Sequence, residues 1–285
     1  MRIDYDIHTL MPYINWDYFY FAWGMHNKPE AEKLKLHAEA ESTLIELDGH
    51  YGAHALFGIF NAYSEGDDVV VEDGKDNMEG EMRMPFLRQQ ESDSNFLCLA
   101  DYIAPQHTPL DAQFSRIMSK IGIFAATVDI GLETDFRYDS YQQMMVQLLA
   151  DRLAEAAAER MHEEVRKQYW GYAPDEKLSI HELHTEKFQG IRPAVGYPSL
   201  PDTSVNFLID QLINMRQVGI RLTENGAMKP HASVSGFMFA HPQASYFTIG
   251  KICEDQLVDY ARRRGLPLAV MRKFLGRLIV PLHSS

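Results

Sequence analysis

Segments with a helical period of apolar residues alternate along the chain with shorter, nearly continuous apolar runs. Residues 29–48 repeat their apolar side chains every three or four positions, which predicts an amphipathic helix. The longest such pattern covers residues 139–170 and meets no glycine or proline before Gly171, so we predict a helix of about eight turns. Shorter helices are predicted at residues 178–187, 203–217 (with Thr203 or Ser204 as the cap), 253–264 and 267–277.

The apolar runs predict strands. Residues 55–60 and 68–72 flank a turn at Gly66 and Asp67, a pattern typical of a hairpin, and residues 121–128 predict a buried strand. Alternating runs at residues 235–240 and 245–250 predict a second hairpin. The polar stretch 74–95 predicts a loop with one short strand or helix. Residues 13–23 contain seven aromatic side chains, most of which we expect to pack in the core.

Composition limits the class of protein. The 285 residues allow one large domain or two small ones, since domains average about 150 residues. Forty acidic against 27 basic side chains leave a formal charge of −13, which argues against a nucleic-acid partner or an anionic membrane surface. No run of 18 apolar residues and no apolar leader occurs, so we expect a cytoplasmic protein. Cys98 and Cys253 stand in apolar surroundings, and we expect both to be reduced, buried thiols.

The absence of several sequence motifs limits the classes of active site that we expect in this chain. The chain contains no G-x-G-x-x-G, G-x-S-x-G, P-loop or H-E-x-x-H signature, which argues against a Rossmann-type cofactor site and against several hydrolase and nucleotide sites. Asp6 and His8 begin a pattern of base-off cobalamin sites, but Met11 stands where that pattern needs glycine. We therefore expect that this chain does not hold cobalamin by itself.

The predicted long helix also carries a polar stripe. Asp151, Glu155, His162 and Arg166 recur at helical spacing on one side. Two carboxylates four positions apart suit acid–base catalysis or metal binding, but such a stripe is more often a solvated or salt-bridged face. We expect His162 and His241 to be surface or hydrogen-bonded core groups rather than metal ligands.

Residues 190–201 are the most informative stretch. They contain three prolines and two glycines, which exclude both a helix and a central strand. A flexible linker would be rich in glycine and serine, whereas this segment carries Arg192, Tyr197 and aliphatic side chains. It therefore predicts a stiff, ordered loop, either a rigid crossover or a loop that shows its backbone to a ligand.

This loop resembles the Arg-Pro-x-x-Gly-Tyr-Pro loop of the activation (reactivation) domain of cobalamin-dependent methionine synthase. Further segments resemble that family in the same order, so the resemblance covers nearly the whole chain. They are residues 87–90, 99–102, 150–156, 169–174, 222–228, 232–236 and 255–263.

The resemblance implies a single α+β domain over residues 1–285, with a bent, twisted antiparallel sheet, packed helices and a concave face, not a Rossmann fold. We expect a free-standing chain, and the resemblance implies that it binds S-adenosylmethionine and presents the methyl group to cob(I)alamin on a separate methionine synthase polypeptide. That step reactivates this methyltransferase of methionine biosynthesis, with flavodoxin or an equivalent reductant as electron donor. The chain would be a component of that enzyme rather than active alone, and no metal of its own is expected.

Site residues follow from the same resemblance. Arg192 is expected to pair with the ligand carboxylate, the backbone of Ala194 and Gly196 to meet the adenine and ribose, and Tyr197 to face cobalamin. Tyr246 and Phe247 are expected to wall the purine. Asn15 is expected to take the ligand ammonium, although the family carries an aspartate there, and Glu155 to support the site. The family also carries His and a charged pair within residues 202–206, which this chain lacks.

Two alternatives stay open at this point. The same fold could serve as a non-catalytic module that docks on a cobalamin protein with weakened ligand binding, which Asn15 and the altered segment 202–206 favour. An unrelated carboxylate-dependent enzyme that uses Asp151 and Glu155 would require both groups to line a cleft.

Overall fold

A computed structural model describes residues 1–72, 81–91, 95–109 and 111–280. Within them the strands are β1 (Arg2–Asp6), β2 (Gly52–Glu65), β3 (Asp68–Glu72), β4 (Glu81–Pro85), β5 (Lys120–Val128), β6 (Arg221–Leu222), β7 (Met228–Lys229) and β8 (Ser233–Met238). The α-helices are α1 (Ile7–Leu10), α2 (Trp16–Ala22), α3 (Glu30–Leu47), α4 (Ala112–Met118), α5 (Gly131–Thr134), α6 (Ser140–Glu164), α7 (Ile180–His184), α8 (Val205–Ile213), α9 (Glu254–Arg263) and α10 (Leu268–Leu275).

A six-stranded sheet has the order β4-β3-β2-β5-β8, with β1 also paired to β2, while β6 and β7 form a separate two-stranded sheet. The pairs β1–β2, β2–β3 and β3–β4 are antiparallel. The chain divides into two compact units. The first comprises Met1–Gly58, Phe124–Phe188 and Ile213–Ser235, and the second comprises Ile59–Ile123, Gln189–Leu212 and Gly236–Ser285. The expectation of a single domain stays a prediction.

Helix α6 organises the first unit. The Asp139 carboxylate caps its start by accepting the backbone N–H groups of Tyr141 and Gln142. The helix buries an alanine-rich face and contacts α1, α2, α3 and α5. It ends in a π-helical turn over Val165–Tyr169, after which Gly171 takes a φ of 68°. The predicted long helix is confirmed, with this turn as its last part.

The aromatic segment 13–23 differs from its prediction. Of its seven rings, all within the described residues, Phe19 is buried, whereas Tyr18 and Phe21 are 60% and 67% exposed. Helix α2 has seven residues, and a helix that short turns only one of its faces inward. Phe19 therefore packs in the core, and the expected packing of most of these rings in the core is not observed.

The hairpin of β2 and β3 in the second unit is as predicted. Glu65 pairs with Asp68, so the loop consists of Gly66 and Asp67, and Gly66 takes a φ of 62°. Strand β4 pairs with β3 and is the short element predicted within 74–95; residues 74–80 and 92–94 of that prediction lie outside the described residues. Strand β5 is buried along its length after Lys120, as expected.

Three predictions in the second half of the chain need correction. Residues 245–250 form no strand, because their backbone groups bond to a loop and to side chains rather than to β8. The helix predicted for 203–217 ends at Ile213, since Asn214 takes a left-handed φ of 51° and a 3-10 turn follows. Cys98 is buried, and burial raises its thiol pKa to about 12, but Cys253 is exposed at the start of α9.

Helices α9 and α10 form as expected, separated by Gly265 at a φ of 64°. Their apolar faces enter a buried cluster with Leu87, Ile249 and Ile252. Helix α7 begins with a capping box between Ser179 and Glu182 and agrees with its prediction. Within the described ranges, no helix combines the length and the apolar character required to cross a bilayer.

Candidate functional site

Loop 190–201, in the second unit, lies along β8 and its continuation. Ile191 and Phe239 exchange two backbone hydrogen bonds of 2.9 and 3.0 Å, and the Phe237 N–H donates to the Pro193 carbonyl at 3.1 Å. Ala194 forms a further bridge with Gly236. The first half of the loop is therefore fixed by the sheet through its backbone, although proline prevents a regular strand.

Gly190 is required where the loop begins. Its φ is 85°, and a Cβ atom there would lie 2.3 Å from the carbonyl oxygen of Phe239. Gly196 differs, because its φ of 91° needs glycine but the nearest atom to an added Cβ, in Thr203, is 3.9 Å away. The first glycine allows a close backbone approach, and the second allows a turn.

The second half of the loop closes on itself. The Gly196 N–H donates to the Leu200 carbonyl at 2.8 Å, and the Leu200 N–H donates to the Tyr197 carbonyl at 2.9 Å. Leu200 is buried, whereas Tyr197 is 53% exposed. This turn presents Gly196 and Tyr197 at the surface of the second unit.

Arg192 and Tyr246 are brought together. The Arg192 backbone N–H donates to the Tyr246 phenolic oxygen at 2.9 Å, while the Arg192 side chain is partly exposed. Phe247 is partly buried and packs against the apolar cluster of α9 and α10. The Ile249 N–H donates to the Pro198 carbonyl at 3.0 Å, so segment 245–250 lies beside the turn of the loop.

Side chains from two other segments hold residues 245–250. The Gln89 side-chain amide donates to the Thr248 carbonyl at 2.8 Å, and the Tyr102 hydroxyl donates to the Ser245 carbonyl at 3.1 Å. Both belong to segments that carry the family resemblance, 87–90 and 99–102, but sequence reasoning assigned them no role. A glutamine between Arg88 and Gln90 and a tyrosine after Asp101 form no local pattern that would indicate such a role.

Arg88 fixes the same region. Its guanidinium pairs with Asp67 and Asp101, each at 2.7 Å, and its backbone N–H and carbonyl both bond to the Gln256 side chain, at 2.7 and 2.9 Å. Hydrogen bonding to Asp101, the largest effect, raises the Arg88 pKa above its ordinary value, so this arginine stays charged. The start of α9 is thereby tied to the segment that holds Thr248.

Asn15 and Glu155 lie in the first unit. The Asn15 side-chain oxygen caps α2 by accepting the Asp17 N–H at 3.2 Å. Glu155 forms an ion pair with Arg152 at 2.8 Å, and the Arg152 guanidinium lies 5.8 Å from the centre of the Tyr18 ring. Each predicted residue thus has a local structural contact, and its ligand role stays a prediction.

The polar stripe of α6 has a buried end. His162 and Arg166 are fully buried, and Arg166 bonds to Glu176 at 2.7 Å and to the His162 ring at 2.9 Å, with the Phe188 ring 4.2 Å away. This end of the polar stripe is therefore a salt-bridged structural feature. At the other end, burial raises the pKa of the Asp151 carboxyl. Among the described residues, no cluster of His, Cys, Asp or Glu is arranged to hold a metal.

Comparison with known proteins agrees with this geometry. Residues 6–265 match the family model "Vitamin B12 dependent methionine synthase, activation domain". The fold is similar to a crystal structure of the MetH reactivation domain bound to AdoHcy, with 35% identity, a TM-score of 0.88, and coverage of 99% of this chain and 90% of that chain. The predicted α+β fold with an antiparallel sheet is confirmed. With almost its whole length matched, the chain belongs to the activation-domain family of vitamin B12-dependent methionine synthase.

Proposed function

We propose that this chain binds S-adenosylmethionine at loop 190–201 and presents its methyl group to cob(I)alamin on a separate methionine synthase polypeptide. The observation that carries the proposal is the related structure, in which a domain 35% identical to this chain is bound to AdoHcy. AdoHcy is what remains of S-adenosylmethionine once the methyl group has been transferred. A chain with the same fold and an ordered loop can take the same class of ligand.

Arg192 is the proposed partner of the ligand carboxylate. A guanidinium offers two parallel N–H donors that match a carboxylate, which makes this the strongest interaction available to the amino-acid end of the ligand. Because the Arg192 backbone bonds to Tyr246 and lies between two bridges to the strand, the base of the side chain is fixed before the ligand arrives. The backbone at this position then needs no ordering when the ligand binds.

The turn around Gly196 is the proposed contact for the nucleoside. Gly196 carries no side chain and is exposed, so a planar ring can approach its backbone closely. The backbone of Ala194 is the second proposed contact, and the rings of Tyr246 and Phe247, in the segment beside the turn, are the proposed walls of the purine. Tyr197 is the proposed contact on the side of the partner's cobalamin, in keeping with its exposed ring.

The chemistry requires position more than acid–base groups. Cobalamin, held by the partner and reduced by flavodoxin or an equivalent donor, supplies the nucleophile that takes the methyl group. The bond between sulfur and the methyl carbon breaks, and its electron pair stays on sulfur, which loses its positive charge. No proton moves, so the residues of this chain contribute by orienting the sulfonium methyl towards the partner.

Calorimetric titration of the full chain with S-adenosylmethionine tests the proposal. We expect saturable binding, and Arg192→Ala should weaken it by about 2 kcal/mol, roughly thirtyfold, because a charge-assisted pair is lost. Arg216→Ala is the control, since it removes an arginine that is exposed in the first unit and has no ion pair among the described residues. Equal affinity of wild type and Arg192→Ala would remove this arginine from the site.

A docking module with weakened ligand binding is the second candidate. It is favoured by Asn15, whose side-chain oxygen already serves the helix cap and which carries no charge for a ligand ammonium. The two functions separate in one comparison, because a docking module would bind a methionine synthase that lacks its own activation domain without taking up S-adenosylmethionine. The methyl carrier should bind both and restore activity to the oxidised enzyme.

A further inference from the structure

A buried polar cluster stands where loop 190–201 ends, in the second unit. Its members are Asp202, Ser204, Tyr260 and Arg264, which we call the Asp202 cluster. Asp202, Ser204 and Tyr260 are each 1% exposed, and the Arg264 side chain is 4% exposed. Burial of charged groups is unfavourable unless they are paired, so the contacts within the cluster decide what it can do.

The Asp202 carboxylate is the centre of the cluster. One oxygen accepts the Ser204 N–H at 2.9 Å, and the other accepts the Ser204 hydroxyl at 2.8 Å and the Tyr260 hydroxyl at 2.9 Å. The Arg264 Nε lies 3.6 Å from the same carboxylate, an ion pair rather than a hydrogen bond. Its Nη2 donates to the Ser204 carbonyl and hydroxyl at 3.1 and 2.9 Å. Arg264 therefore balances the charge of the carboxylate, and the hydrogen bonds from Ser204 and Tyr260 set its orientation.

The protonation state of the Tyr260 hydroxyl supports this arrangement. Burial, followed by the negative charge of Asp202, raises the pKa of the Tyr260 hydroxyl well above its ordinary value. Tyr260 is accordingly a neutral donor at any physiological pH. The phenol therefore keeps the proton that it donates to Asp202.

The cluster joins the loop to helix α9. Tyr260 lies within α9 and Arg264 directly follows it, while α9 packs into the buried apolar cluster of the second unit. Asp202 comes two residues after Leu200, whose carbonyl and N–H close the turn at Gly196 and Tyr197. The sheet holds the start of the loop through Ile191 and Ala194, but these bridges do not reach its end.

We propose that Asp202 is a positioning residue for ligand binding, because its bonds to Tyr260 and Arg264 fix the end of the loop and with it the turn at Gly196. The proposal rests on the function proposed above for that loop. A cluster of apolar side chains of the same volume could hold α9 equally well, but it would offer no directed hydrogen bonds to set the orientation of a polar turn.

The variant Tyr260→Phe tests the proposal in the full chain, because it removes one hydrogen bond with little change in volume. We expect the Kd for S-adenosylmethionine, measured by calorimetry on fully folded protein, to rise roughly fivefold to tenfold. The amide resonances of Gly196 and Leu200 should also shift in the absence of ligand. Asp202→Asn should act in the same direction more strongly.

Tyr5→Phe is the matched control. Tyr5 is 7% exposed and donates its hydroxyl to Glu164 at 3.2 Å, so the variant also loses a phenol–carboxylate bond, in the first unit. We expect a comparable loss of thermal stability, an unchanged Kd and unmoved loop resonances.

The outcomes separate the two proposals. If the wild type binds and Tyr260→Phe behaves like Tyr5→Phe, with lower stability but the same Kd, the cluster is structural and its positioning role is refuted. Failure of the wild type itself to bind S-adenosylmethionine would refute the proposed function of the loop, and the positioning role with it.

Discussion

Two neighbouring segments of the second unit carry the proposed ligand contacts, and they are held in different ways. The first half of loop 190–201 is held by backbone bonds to β8 and to Phe239. Segment 245–250 receives bonds from the side chains of Gln89 and Tyr102. A backbone-held segment depends on the conformations its residues can adopt, whereas a side-chain-held segment depends on the identity of residues distant in sequence.

The largest loss of stability and of ligand binding is expected at Gly190. In Gly190→Ala the new methyl group would meet the Phe239 carbonyl at 2.3 Å, and φ would stay positive, so the loop must leave the strand. We expect the free energy of unfolding to fall by about 3 kcal/mol or more and ligand binding to be lost. Urea denaturation and calorimetry measure both. A stable Gly190→Ala protein would contradict the claim that the backbone sets this half of the loop.

A smaller effect is expected at Gly196. An added Cβ meets no atom closer than 3.9 Å, so Gly196→Ala carries the cost of its φ of 91° alone, about 1–2 kcal/mol. Thermal denaturation should show this modest loss. Gly66→Ala is a fitting control, since it also has a positive φ and open space but lies in the β2–β3 hairpin. Both variants should lose similar stability, and only Gly196→Ala should also lose affinity for S-adenosylmethionine.

The smallest effect is expected where side chains hold the second segment. Tyr102→Phe removes the hydroxyl that bonds to Ser245, and because Ser245 is an exposed residue at which water can replace that bond, we expect a loss of about 1 kcal/mol. Hydrogen exchange of the amides in 245–250 should increase, while those of 190–195 stay protected. An equal increase of amide exchange in both segments would show that they are one cooperative unit. It would contradict the distinction between a backbone-held and a side-chain-held segment.

Local patterns were sufficient for most of the elements. A long apolar period without glycine or proline predicted α6, and a two-residue turn between apolar runs predicted the β2–β3 hairpin, since both depend on neighbours in the sequence. The stiffness of loop 190–201 followed from its prolines and glycines. Its resemblance to a known family carried the functional hypothesis, and the comparisons confirmed the family.

The errors share one physical cause. Residues 245–250 have an alternating pattern that suits a strand, but their backbone groups found partners in Gln89, Tyr102 and Pro198. The rings of segment 13–23 suit a core, but α2 turns one side inward. In both cases the outcome depended on how the segment packs against the rest of the fold, which a local pattern does not record.

By itself the sequence determined the positions of helices and turns, the rigidity of loop 190–201 and the family, because these depend on local backbone preferences and on the order of recognisable segments. Only the tertiary structure decided that Gly190 must lie against Phe239, that Tyr246 receives the Arg192 N–H, and that Asp202 is buried with Tyr260 and Arg264. Those contacts join residues between 49 and 62 positions apart, and their geometry exists only once the sheet and α9 have packed.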